Sequence, residues 1–183
     1  MTEKKAYTLS ILVEDTPGVL SQVARLFSRK GYNIESICAG PTRTPGTTRI
    51  SVVTICNDAE IRQIATQLSK LLLVITVDVL EKDDSIQREL TLVKVRAKTR
   101  EDREGIIQII NVFRANIVDF GSESLIIAAV GTSDKTQAML KLLKDYDILE
   151  TVNTGVVALQ RGEQTIHDQN KLKDEYNYGK HVQ

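Results

Sequence analysis

AYTLSILVEDTPGVL, residues 6–20, begins as a strand and ends as a helix. Tyr7, Leu9, Ile11 and Val13 alternate with Thr8, Ser10, Leu12 and Glu14, the two-residue period of a pleated strand with one face buried. After Thr16-Pro17-Gly18 the apolar spacing changes: Val19, Leu20, Val23, Leu26 and Phe27 follow a helix, with Arg29 and Lys30 in its last turn and Gly31 as its stop. Thr16 suits an N-cap and Pro17 the first helical position. Gly18, lacking a Cβ, lets another group approach the backbone. The N–H groups of Gly18, Val19 and Leu20 then form a seat for a carboxylate at the positive end of the helix dipole. The same stretch also suits a plain strand-to-helix turn.

Outward from this stretch the order continues. Residues 33–42 and Arg49 to Cys56 read as strands around the turn TRTPGTT, and Asp58 is placed to cap a helix carrying Ile61, Ile64, Ala65, Leu68 and Leu72. Val74 to Leu80 completes β-α-β-β-α-β, the ferredoxin-like order. The polar stretch EKDDSIQ then reads as a linker, and the order repeats. ELTLVKVRA is a strand and Glu101 to Phe113 a helix with Ile106, Ile109, Ile110 and Phe113 on one face. IVDF and SLIIAAVG follow as strands, then a helix from Asp134 to Lys144 entered through Thr132 and Ser133, and ILETVN as the last strand. The expected architecture is α+β, two tandem ferredoxin-like (βαββαβ) domains at 5–80 and 88–161, with a linker at 81–87 and a polar, disordered tail at 162–183. In this topology the second strand, GYNIES onward, is an edge strand. Glu35 is its one charge and Pro41 lies near its end; the edge suits pairing with a second copy, and reads equally as an exposed edge blunted by these two residues.

Composition narrows the chemistry. The chain has 183 residues, 42% of them apolar, enough for packed cores. Lys plus Arg and Asp plus Glu number 24 each, so no net basic field draws nucleic acid. The ferredoxin-like order is shared with RNA-recognition modules, which stack bases on aromatics of the central strands. TTRISVVTI and ELTLVKV carry none. Cys38 and Cys56 are the two cysteines, too few for a disulfide framework, and read as buried thiols. His167 and His181 both lie in the terminal stretch GEQTIHDQNKLKDEYNYGKHVQ, which speaks against histidine base chemistry and His-rich metal sites in the folded body. No nucleophile–base pair, glycine-rich phosphate loop or HExxH stands in the chain; GTSDK is more simply a helix cap, and KTREDRE a solvated helix entry. No apolar run reaches the ~18 residues of a membrane helix, and MTEKKAYTL has no signal-peptide pattern.

Six stretches carry a family resemblance: TLSILVEDTPGVLSQVARLFSRKGYNIES, IATQLSKLL, QRELTLVKV, FRANIVDF, VGTSDK and TGVVALQRG, in this order from Thr8 to Gly162. In them the chain resembles the small regulatory subunits of acetolactate synthase, also called acetohydroxyacid synthase. The resemblance implies that the first domain is an ACT domain, an amino-acid sensor that dimerises. It also implies a large catalytic subunit as partner, itself carrying thiamine diphosphate, Mg and FAD, while this chain binds no cofactor. Function by resemblance is non-catalytic: activation of the large subunit and feedback inhibition by valine in isoleucine, valine and leucine synthesis. The alternative is an ACT-type sensor acting on a different enzyme or regulator. The implied effector seat lies between two ACT domains. Gly18, Val19 and Leu20 of one chain face the carboxylate, and Asn33 and Ile34 of the other face the amino end and side chain. Position 15, often Asn in valine-sensitive members, is Asp15 here, which either pairs with the effector ammonium or weakens carboxylate binding nearby. The expected compartment is the bacterial cytoplasm, or the plastid stroma for an organelle-encoded chain.

Overall fold

The computed structural model describes residues 3–166, which form two compact units. Residues up to 86, joined by the segment from 156 onward, make the first; residues 87–155 make the second. In the first unit the elements run β1 (Lys5–Glu14), α1 (Val19–Lys30), β2 (Ser36–Pro41), β3 (Thr47–Cys56), α2 (Asp58–Leu68) and β4 (Val74–Leu80). The second repeats the order with β5 (Ser85–Arg96), α3 (Arg100–Phe113), β6 (Asn116–Phe120), β7 (Ser124–Gly131), α4 (Ser133–Leu143) and β8 (Ile148–Asn153). Both sheets are antiparallel, ordered β2-β3-β1-β4 and β6-β7-β5-β8, so both units are ferredoxin-like. The repeat extends to detail: pairing of the first strand with the fourth shifts register between Leu12 and Val13 in one unit and between Lys94 and Val95 in the other.

Each unit has its own core. Leu9, Ile11 and Val13 of β1 and Ile50 and Val52 of β3 pack beneath Val23, Leu26 and Phe27 of α1 and Ile61, Ile64 and Leu68 of α2. Val93, Val95, Leu125 and Ile127 pack likewise beneath Ile106, Ile110, Met139 and Leu143. The strand residues sit at every second position and the helix residues three or four apart, as the two periods require.

Helix starts differ from the sequence reading in an informative way. α2 is capped by Asn57, not Asp58: Asn57 Oδ1 accepts from Ala59 and Glu60 N–H at 3.0 and 2.9 Å while Glu60 reaches back to Asn57 N–H at 2.8 Å. α3 starts at Arg100 behind Thr99, whose hydroxyl accepts Asp102 N–H while the Asp102 carboxylate accepts Thr99 N–H, both 3.1 Å. α4 begins after Thr132, whose side chain makes no cap bond. Glu89, on the neighbouring β5 and 6% exposed, takes that place. Its carboxylate accepts the Ser133 hydroxyl at 2.7 Å and the Thr136 hydroxyl. An anion therefore sits at the positive end of α4, delivered from another strand.

Three boundaries also move. β2 begins at Ser36, because Gly31 and Tyr32 are spent closing α1: their N–H groups return to Ser28 and Phe27 carbonyls at 3.2 and 3.1 Å. The 81–87 linker is overtaken by β5 from Ser85. A further strand, β9 (Val157–Gln160), pairs with β5, and Arg161 N–H donates to Asp84 O at 2.8 Å. Residues 156–161, which the sequence reading assigns to the 88–161 domain, group with the first unit. Of the 162–183 tail, Ile166 is buried at 5% exposure; residues 167–183, His167 and His181 among them, lie outside the described residues. Among the described residues no helix is long and apolar enough to cross a membrane.

Removing the Glu89 carboxylate takes the acceptor from the Ser133 hydroxyl and leaves the Thr136 hydroxyl to the Ser133 carbonyl at 3.0 Å, so Glu89→Ala lowers unfolding free energy by about 1–3 kcal/mol. Urea denaturation measures it, and an unchanged midpoint would remove Glu89 from the capping role. Hydrogen bonds from Thr99, backbone first and then hydroxyl, hold the Asp102 carboxyl below the usual carboxylate range. Its stabilisation is present above the unfolded-state pKa and lost as pH falls through the lowered folded-state value. Asp102→Asn should flatten that acid limb of a stability–pH profile.

Candidate functional site: the start of the first helix

β1 ends at Glu14, and the next residues are held by backbone bonds rather than side chains. Glu14 N–H donates to Leu73 O at 2.9 Å and Asp15 N–H to Gly46 O at 2.8 Å, fastening the loop to the β3–β4 end of its own unit. Thr16 N–H turns back to Glu14 O. The N-cap is Gly18, in the left-handed region at φ 91°, and the helix starts at Val19. Thr16 is therefore not the cap, nor Pro17 the first helical residue. The loop needs a positive φ before it can enter the helix, and glycine adopts that without strain.

A glycine cap has consequences for the amides. It offers no side-chain oxygen, and α1 has no side-chain cap bond. Val19 N–H turns to Thr16 O at 3.3 Å. Gly18 and Leu20 N–H have no acceptor among the described residues, as expected for helix-start donors without a cap. A Cβ built on Gly18 would meet nothing within 4 Å, so the space beside the Gly18 Cα is open. Val19 is buried at 6% exposure, whereas Leu20 is 45% exposed on the surface. Of the three amides expected to face an anion, two are available and the Val19 amide is shared with the turn.

Asp15, Gly18, Val19 and Leu20 thus come together in one loop. Asn33 and Ile34 do not join them. Ser36 stands beside Val53, which stands beside Thr8, while Pro41 stands beside Thr48, opposite Val13. The start of β2 is therefore at the far end of the sheet from the loop, roughly 20 Å away at ~3.3 Å per strand residue. Asn33 is exposed, with its amide donating to Glu35 Oε1 at 2.7 Å and its carbonyl accepting the Thr54 hydroxyl at 2.7 Å. Ile34 is half-buried and packs partly against its own unit's core. Sequence reasoning placed this residue by resemblance; the competing demand of the core has no local sequence signal.

β2 is an edge strand, as its place in the order β2-β3-β1-β4 requires. Its Ile37 is 40% exposed and stands beside core residue Val52. A two-fold pairing of β2 with β2 of a second copy runs the strands antiparallel. The 33–36 end of one copy then lies toward the helix-start end of the other. Two copies can unite the halves that one copy holds apart.

Residues 9–76 match the family described as the AHAS small subunit-like ACT domain, and residues 88–162 the family described as the small subunit of acetolactate synthase. The acetolactate synthase small subunit of Mycolicibacterium smegmatis is 46% identical over 156 residues, 85% of this chain and 91% of that protein. A probable acetolactate synthase small subunit of Methanothermobacter thermautotrophicus is 42% identical over 164 residues, 90% of this chain and 98% of that one. The crystal structure of the small subunit from Thermotoga maritima superimposes with a TM-score of 0.80 at 36% identity, covering 87% of this chain and 99% of that chain. With both ferredoxin-like units matched in order and nearly the whole length covered, the chain belongs to the acetolactate synthase small subunit family.

Proposed function

We propose that this chain is the non-catalytic regulatory subunit of acetolactate synthase. It binds the large thiamine-diphosphate-dependent subunit, raises its activity and makes it sensitive to a branched-chain amino acid, valine first. Thiamine diphosphate, Mg and FAD belong to the large subunit in this reading, and the working compartment is the cytoplasm. The observation that carries it is kinship over both units with proteins named as small subunits of this enzyme. The effector seat rests on the helix start: Gly18 and Leu20 N–H have no acceptor among the described residues and stand at the positive end of α1, where a carboxylate is favoured. The second half of the seat comes from another copy's Asn33, paired across β2. Asp15, exposed beside Gly18 along the chain, takes the effector ammonium. Ile34 contributes its backbone, because its side chain packs partly against its own core.

Feedback needs a modest coupling. An effector that shifts the affinity of the two subunits, or the activity of their complex, by ~1–3 kcal/mol gives a 5- to 150-fold response. Dimerisation is part of this: without a second copy the seat has one wall.

The test is acetolactate formation by the purified large subunit with and without this chain, under titration with valine, leucine and isoleucine. The chain alone is inactive, it raises the activity of the large subunit, and valine inhibits the pair. Gly18→Asp places a carboxylate against the effector carboxylate and abolishes inhibition while activation remains. Because any side chain at φ 91° costs ~1–2 kcal/mol, Gly18→Ala serves as the control for strain and retains more of the inhibition. Full sensitivity in Gly18→Asp would refute the seat. For the dimer, Ile37→Lys sets like charges against each other across the two-fold edge and raises the dimer dissociation constant by about tenfold or more, a change of ~1.4 kcal/mol. Sedimentation at micromolar chain reads this directly, and an unaltered dimer would move the interface elsewhere.

A further inference from the structure

The first unit's sheet has a second face, turned away from the helices, and it is polar. Strand register sets Ser10 beside Ser51 and Asp78, and Leu12 beside Arg49 and Thr76. The returning segment crosses this face with Ala158 and Ile166 buried at 5% exposure each. Between segment and sheet lies a cavity of about 560 Å³, lined by Ser10, Arg49, Asp78 and Leu80 of the strands and by Gln160 and Ile166 of the segment. Every lining residue belongs to the first unit.

A face closed for packing alone would satisfy its polar atoms. Here Ser10 is 2% exposed and its hydroxyl has no hydrogen-bond partner among the described residues. Gln160 donates its amide to Gln164 Oε1 at 2.8 Å, but its own Oε1 is buried without a partner among the described residues. Arg49 is half-buried. Burial pulls its guanidinium below the ordinary pKa, and the Asp78 charge acts in the opposite sense. The wall thus offers a forked cation, an orphaned hydroxyl and an orphaned acceptor, with Leu80 and Ile166 as apolar surface. The volume is that of a small-molecule site.

We propose that this cavity binds a small carboxylate that also carries a hydrogen-bond donor, a 2-hydroxy or 2-amino acid with a short apolar body. The Arg49 fork matches a carboxylate in two parallel bonds. The donor on the neighbouring carbon satisfies Gln160 Oε1 or the Ser10 oxygen, and Asp78 favours it when it is an ammonium. Leu80 and Ile166 cover the body. Ser10 lies in mid-strand, four residues before Glu14, so this site is separate from the helix start and does not depend on it.

The experiment follows backbone amide signals of the isotope-labelled full chain during titration with 2-hydroxy-3-methylbutanoate, with valine, and with 3-methylbutanoate, which lacks the donor. Signals of residues 10, 49, 78 and 160 move with one or both of the first two, and which of them acts tells hydroxy acid from amino acid. The third binds at least ~10-fold more weakly. Arg49→Gln weakens binding by about tenfold or more, the worth of a charge-assisted bond. Ser10→Ala, which deletes one buried hydroxyl, weakens it less but measurably, and decides the matter should Arg49→Gln not fold. Valine at the helix start moves amides 18–20 instead, so failure there and failure here are read apart. No movement at residues 10, 49, 78 and 160 with either donor-bearing acid at tens of millimolar overturns the proposal. So does equal binding of 3-methylbutanoate, or undiminished binding by both variants.

Discussion

Amides at the start of a helix have no partner within it, and a fold must supply acceptors or leave them to something else. Among the described residues, three of the four α-helices are supplied. α2 and α3 carry reciprocal caps through Asn57 with Glu60 and Thr99 with Asp102, and α4 has the Glu89 carboxylate brought against its first turn. α1 is entered through a left-handed glycine with no side chain to give, and with open space beside its Cα. The functional reading depends on this difference. α1 and α3 occupy the same place in their units, after the first strand and its register shift, yet one is closed by its own residues and the other is not. The repeated architecture closes one helix start with a side-chain cap and leaves the other without one.

The second constraint is topological. In the order β2-β3-β1-β4 the open helix start and the beginning of the edge strand fall at opposite ends of one sheet. No movement of a side chain closes that gap. In the proposed dimer a second copy does, because a two-fold axis beside β2 would exchange the two ends. In the proposed reading, effector binding and dimerisation are thermodynamically linked, because the seat is complete only when two copies pair.

Most of the fold was legible because the periods are strict. The alternation in residues 7–13 and the three-and-four spacing of Val19, Val23, Leu26 and Phe27 leave little choice, and the second unit repeats the pattern. What failed was local. Thr16 and Pro17 have the right types for a helix entry, but Gly18 takes the cap because the preceding loop is tied by its backbone to Leu73 and Gly46, partners distant in sequence. Asn57 outcompetes Asp58 because its neighbour Glu60 completes a reciprocal pair. β9 is four residues long and is made a strand only by its pairing with β5. The cavity roofed by Gln160 and Ile166 follows from that return and from nothing in the local pattern. At the candidate site, the loop residues 15 and 18–20 were legible as a group, but the partial packing of Ile34 against its own core was not.

A crystal structure of the chain grown with valine tests the central claim most directly. The account predicts two copies joined along β2, with each amino-acid carboxylate within hydrogen-bond distance of Gly18 and Leu20 N–H of one copy and its ammonium toward the Asn33 end of the other. Valine lodged elsewhere, or a β2 edge left unpaired in the valine-bound protein, would contradict it.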